Sequence, residues 1–148
     1  GDEHITSALD KRFQLEFYRP HIAILTNLSW STETDHATPE AYLSTYQSFS
    51  VSIEREGKLI YFGGDDTVSQ LAGDVRSDIT AIPFEEHPVV EKDGQTFLHT
   101  RYGDYPVRIP NRYFLINLNA ARLACRQLGV KHADFYQALS EYSLSLPI

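Results

Sequence analysis

His21-Ile22-Ala23-Ile24-Leu25-Thr26-Asn27-Leu28-Ser29-Trp30 is an aliphatic, β-branched run that breaks into a polar turn. Its apolar residues do not alternate with polar ones, as they would in a strand with one wet face. The run therefore predicts a buried strand over 21–28, as in a parallel sheet. Downstream, Thr38-Pro39-Glu40 reads as a helix opening, with Thr38 as N-cap and Pro39 at the first helical position. Ala41, Tyr42, Leu43, Tyr46, Phe49 and Ile53 follow at helical spacing, and Gly57 is expected to end the helix. Lys58 to Phe62 is a second apolar strand. Gly63-Gly64-Asp65-Asp66 turns, Thr67 to Ala72 makes a short helix, and Ile79 to Phe84 is a third strand. Strand, helix, strand, helix, strand asks for a parallel sheet with crossover helices.

The pattern then changes. His87 to Lys92, Gln95 to Arg101 and Asp104 to Ile109 read as three short strands, with Asp93-Gly94 and Tyr102-Gly103 as turns. Two helices follow, from about Tyr113 to Leu128 with Gly129 as the stop, and from about Ala133 to Tyr142. The expected class is α/β: a parallel α/β part over 1–86, a small antiparallel sheet over 87–112 and a helical part over 113–148.

Composition narrows the function. The chain has 148 residues, long enough for one core, and 42% are hydrophobic. The net charge of −7 at pH 7, with the basic residues scattered, speaks against a nucleic-acid partner. No apolar run is long enough for a membrane span, and no leader pattern opens the chain. Gly1-Asp2-Glu3-His4 reads as the end of something rather than a native start. The single cysteine, Cys125, cannot form an internal disulfide and suits a reducing cytoplasm.

No complete catalytic signature is present. There is no Gly-x-x-x-x-Gly-Lys-Ser/Thr phosphate loop, and the six histidines form no metal-binding motif. Asp2-Glu3-His4 offers carboxylates suited to Mg²⁺, or is a solvated terminal run. Asp35-His36 lies in a strand-to-helix turn, where it could bind metal or order water, or be an ordinary surface pair. Asp65-Asp66 suits a helix N-cap. Asn117 and Asn119 stand near the start of an apolar helix, where Asn is a mediocre former. Their amides suit an adenine edge or ribose, or make local bonds. The aromatics Phe97, Tyr102, Tyr105, Tyr113 and Phe114 read as packing.

Together, Asp2, Ser7-Ala8-Leu9-Asp10-Lys11-Arg12-Phe13, Tyr18-Arg19-Pro20, the strand into Thr26-Asn27, Pro39-Glu40-Ala41-Tyr42, Asp65-Asp66 and Asn117-Leu118-Asn119-Ala120-Ala121-Arg122-Leu123-Ala124-Cys125 resemble the Mur ligases. These are ATP-dependent amide-forming enzymes of peptidoglycan assembly. The resemblance runs colinearly over essentially the whole chain and leans toward the branches acting on UDP-N-acetylmuramate. It implies the later part of a central ATP-binding domain, cut from a three-domain ligase. In such a ligase ATP phosphorylates a substrate carboxylate, and the amine of an amino acid or peptide attacks the acyl phosphate.

By the same resemblance Asn117 faces adenine or ribose and Glu3 lies near Mg²⁺, with Asp35 and His36 as substitutes for a displaced family pair. The implied cofactors of the full-length protein are ATP and Mg²⁺. Its implied substrates are a UDP-N-acetylmuramate compound and an amino acid or peptide, in the cytoplasm, with no nucleic-acid or membrane partner. The family pattern is altered at three places, one of them a Gly near the C-terminus that falls on Leu144. An Asp-His pair falls on Ser31-Thr32, and a His-Asn pair falls on Tyr113-Phe114. With no phosphate loop, the isolated chain is expected to be inactive. The alternative is a non-catalytic domain of the same fold that binds a sugar nucleotide or a protein.

Overall fold

A computed structural model describes residues 4–147, which form two compact units, 1–83 and 84–148 by their boundaries. Glu3 lies outside the described residues.

The first unit is a three-stranded parallel sheet in the order β1–β2–β3, with helices between its strands. Strand β1 is Ile22–Leu25, β2 is Lys58–Phe62 and β3 is Thr80–Phe84. Ile22 pairs with Lys58 and Leu25 with Tyr61, in parallel register. Helix α1 (Pro39–Ser52) begins as its residues dictate, with the Thr38 hydroxyl accepting from the Ala41 amide. Helix α2 (Asp66–Gly73) is capped by the Asp65 carboxylate, which accepts from the Val68 amide. A short 3-10 helix over Gln14–Phe17 precedes β1. Leu59, Ile60 and Val68 are fully buried, and Leu25, Phe49 and Ile53 are nearly so.

Several boundaries differ from the sequence reading. The first strand stops at Leu25 rather than at 28. The Leu28 amide turns instead to the Asp65 carboxylate, at 3.3 Å. Helix α1 stops at Ser52, before Gly57. The Ser50 and Ser52 hydroxyls bond back to the carbonyls of Gln47 and Phe49, and the Arg76 guanidinium takes up those of Val51 and Ile53. Gly57 serves close approach instead. A Cβ there would stand 2.7 Å from Ile53 Cγ2 and 2.9 Å from the His21 carbonyl oxygen.

The second unit is an antiparallel sheet of β4 (Val89–Lys92), β5 (Gln95–Thr100) and β6 (Gly103–Pro106), with helices α3 (Phe114–Gln127) and α4 (His132–Ser145). The Asp93-Gly94 turn has φ of 50° and 74°, the left-handed pair that a two-residue hairpin needs. Strand β6 ends at Pro106 rather than 109. The Arg108 amide leaves the sheet and donates to the Ser143 hydroxyl on α4. Leu98, Val107, Leu115, Leu118 and Tyr136 form this unit's core.

Candidate functional site

Helix α3 carries different chemistry at two positions only two residues apart. In a helix such residues stand on nearly opposite sides. Asn119 is buried. Its Nδ2 donates to the Glu85 carbonyl at 2.6 Å, and its Oδ1 accepts from Arg122 Nε at 2.8 Å. Asn117 is exposed, and its side chain makes no hydrogen bond to another described residue. The Asn119 amide is thus spent inside the fold, whereas that of Asn117 is open to a ligand. At the helix start, the Tyr113 amide donates to Asn111 Oδ1. Asn117 therefore supplies no cap.

In the first unit, Asp35 and His36 are adjacent in sequence but serve different contacts. Asp35 Oδ2 accepts from the Ile5 amide at 2.9 Å and meets His4 Nδ1 at 3.2 Å. The Ile5 amide, and then His4, hold this carboxyl below the usual carboxylate range. His36 is only 3% exposed. It stacks flat on Phe13 at 3.9 Å, meets Tyr42 edge-on and bonds Thr45 Oγ1 at 2.9 Å. Ser31 works in the same turn. Its hydroxyl accepts from the Glu33 amide, and its carbonyl accepts from the Thr34 amide and hydroxyl. Among the described residues, no group of three or more His, Cys, Asp or Glu could hold a metal ion. The donors present here do not by themselves fit Mg²⁺: Asp35 is engaged by a main-chain amide and His36 by its aromatic neighbours.

Two concave regions stand out. One, in the first unit, runs beside β1 and is lined by Leu15, Tyr18, Ile24, Asn27, Tyr46 and Phe49, among others. The other, in the second unit, is a cavity of about 660 Å³. Three histidines (87, 99 and 132) and three arginines (101, 122 and 126) line it. His87 is buried there. Its Nδ1 bonds the Pro88 carbonyl at 2.8 Å and its Nε2 bonds the Tyr136 hydroxyl at 2.5 Å. Burial pushes the His87 imidazole below its ordinary range against the pull of the Pro88 carbonyl, and Arg122, His132 and His99 push the same way. The neutral ring therefore carries its proton on Nδ1 and accepts from the tyrosine at Nε2. His132 is lowered too, first by withdrawal from water and then by Arg122 and Arg101. Burial raises the Tyr136 hydroxyl above its usual value.

Reading along the chain misses this cluster, because its members lie just before β4, on β5, in the β5–β6 turn and on both C-terminal helices. The one available signal is Asn119, Arg122 and Arg126 at offsets of three and seven, which place them on one face of α3. Of the aromatics read as packing, Tyr105 does pack, against Tyr136 at 4.9 Å. Tyr102 and Tyr113 do not: they are 62% and 53% exposed, each beneath the guanidinium of its preceding arginine. Cys125 is a half-buried free thiol. No described helix is long and apolar enough to cross a membrane.

No protein-family model matches the chain. It is 27% identical over 135 residues to UDP-N-acetylmuramoylalanine–D-glutamate ligase of Halalkalibacterium halodurans, a match covering 85% of this chain and 29% of that enzyme. The fold is similar to that of UDP-N-acetylmuramate:L-alanyl-gamma-D-glutamyl-meso-diaminopimelate ligase from Neisseria meningitides. That match has a TM-score of 0.73 at 21% identity and covers 94% of this chain and 45% of that one. It is also similar to that of MurF from Acinetobacter baumannii, with a TM-score of 0.66 at 19% identity, over 95% of this chain and 32% of that one. The chain thus spans less than half the length of each of these proteins.

Proposed function

We propose that this chain, a homologue of part of the Mur ligases, is the later section of the ATP-binding central domain of an amide-forming ligase. The parent acts on a UDP-N-acetylmuramate compound in cytoplasmic peptidoglycan synthesis or recycling. Its acceptor is an amino acid or a peptide, and the murein peptide ligase branch is the favoured placement. When bound, ATP supplies the phosphoryl group that activates the substrate carboxylate. The residues described here contribute the adenine or ribose side of that site through Asn117. Any Mg²⁺ near Glu3, Asp35 and His36 needs ligands from elsewhere in the parent, so no step is assigned to those three.

The observation that carries this reading is the state of Asn117. Its amide is exposed and uncommitted on a helix whose other asparagine is buried and used. One hydrogen bond to a neutral ligand group is worth about 0.5–1.5 kcal/mol. Asn117→Ala in the full-length protein should therefore weaken ATP binding roughly twofold to tenfold, with no change in melting temperature. Unchanged affinity by calorimetry would remove Asn117 from the site.

A second reading is a non-catalytic Mur-like domain that binds a sugar nucleotide or a protein. The commitment of Ser31 to its own turn and of His36 to Phe13, Tyr42 and Thr45 favours it. Absence of ATP binding by the unaltered full-length protein would select it.

A further inference from the structure

We propose that the cavity between α3, α4 and the β5–β6 turn is a binding site for a phosphate-bearing small molecule, separate from the face of α3 that carries Asn117. The chain as a whole is acidic, at −7, yet this cavity collects three of its six histidines and three of its thirteen arginines and lysines. No aspartate or glutamate is among the described residues that line it.

The three arginines there are not neutralised by protein carboxylates. The only hydrogen bond from the Arg122 side chain to a described residue goes from Nε to the neutral amide oxygen of Asn119, which leaves both terminal nitrogens available. Arg126 makes no side-chain hydrogen bond or ion pair to a described residue. Arg101 lies over the Tyr102 ring at 4.7 Å and donates to that residue's hydroxyl. Of the lining groups, His99 is paired with Asp104, a carboxylate that Lys92 also engages. Asp134, in the first turn of α4, is exposed and does not line the cavity.

Guanidiniums gathered in one cavity without carboxylate partners raise the local concentration of anions. A planar fork of donors matches the oxygens of a phosphate. Two further features fit the same ligand. Helix α4 starts here at His132, and its N-cap, Lys131, provides no side-chain bond to the first amides. The rim is aromatic: Tyr102 is 62% exposed and lies 4.5 Å from the His132 ring, so it offers a surface for a flat group attached to the phosphate.

The test titrates the full-length protein with inorganic phosphate, pyrophosphate and, as the ionic-strength control, chloride. Arginine Nε–H and histidine ring resonances are followed by NMR. Phosphate or pyrophosphate should shift Arg122 and His132 saturably, where chloride does not. A charged hydrogen bond is strong enough that Arg122→Gln should weaken this about tenfold or more. Arg126→Gln, at an exposed position, should weaken it in the same direction without altering the melt, which keeps the test open if Arg122→Gln fails to fold. Asn117→Ala should leave the titration untouched. Equal shifts with chloride, indifference to both arginine substitutions, or loss of the response in Asn117→Ala would each overturn the proposal. Tighter binding of pyrophosphate than of phosphate would point to a diphosphate ester as the occupant. Equal binding would point to a monoester.

Discussion

Asn119 and Arg122 lie one turn apart on α3, and the arginine Nε donates to the asparagine Oδ1 at 2.8 Å while the same amide reaches back to the Glu85 carbonyl. A buried side chain thus ties the segment before β4 to the helix and aims a guanidinium at the same time.

Removing that amide leaves a carbonyl and a guanidinium nitrogen without their partner. Asn119→Ala should cost about 1–3 kcal/mol, the usual range for a buried polar group stranded by truncation. Asn117→Ala, at an exposed position, should change stability by less than about 0.5 kcal/mol. Urea unfolding of the two variants side by side checks the contrast. Equal losses would mean that the two asparagines do similar structural work.

His87 makes the second unit sensitive to acid. Its folded-state pKa is depressed, so the unfolded chain takes up the proton first as pH falls. Its contribution is present above the unfolded value of about 6.5 and is lost as pH drops through the lower folded value. The groups around the ring are the Pro88 carbonyl, the Tyr136 hydroxyl, Arg122, His132 and His99, and the three ionisable neighbours oppose its charging. The urea midpoint should be lower at pH 5.5 than at pH 7.5. His87→Gln should reduce that difference. Tyr136→Phe, which strands the buried Nε2, should cost about 1–3 kcal/mol at pH 7.5.

Two glycines should respond in opposite ways. Gly57→Ala would push a methyl into Ile53 Cγ2 and two backbone oxygens, at 2.7–2.9 Å, and overpacking of this kind costs about 1–3 kcal/mol. Gly73, at the end of α2, has open space around it and no left-handed backbone. Gly73→Ala should therefore stabilise by about 0.4–1 kcal/mol through the unfolded chain. Thermal melts that moved the same way for both would refute the distinction.

Arg76 and the Glu56 amide hold the Asp78 carboxyl well below the usual carboxylate range. A depressed acid stabilises the fold above its unfolded pKa, about 3.9, and loses that contribution as pH falls through its lower folded value. The first unit should therefore weaken in acid below about pH 4, and Asp78→Asn should flatten that acid limb. An unchanged acid limb in the variant would assign the sensitivity to other carboxylates.

Most of the fold is legible from local chemistry. The Thr38 and Asp65 caps and the Asp93-Gly94 turn fold as their residues require, and the Ile22–Leu25 run becomes a strand, though Ile24 stays 39% exposed rather than buried. Arg76, which ends α1 by taking up its last carbonyls, comes from a distant loop, so spacing cannot reveal it. The site is legible to a smaller degree. Asn117 and Asn119 look alike in sequence, and only the packing of Glu85 against α3 separates the used amide from the open one. His36 looks like a ligand beside Asp35 until Phe13, far upstream, stacks upon it. The cavity histidines belong to separate elements, so their meeting is a property of tertiary structure alone.

Strand β1 is four residues long and forms an outer edge of its sheet, beside the groove lined by Leu15, Tyr18 and Phe49. One side of its backbone pairs with β2; the other faces away from the sheet, with Ile24 39% exposed. Such an edge is a template that accepts any compatible strand. Concentrating this polypeptide on the bench thus carries a colloidal hazard. Molecules that meet edge to edge can lengthen each other's sheets, and a lysine placed at Ile24 is the small change that would discourage them.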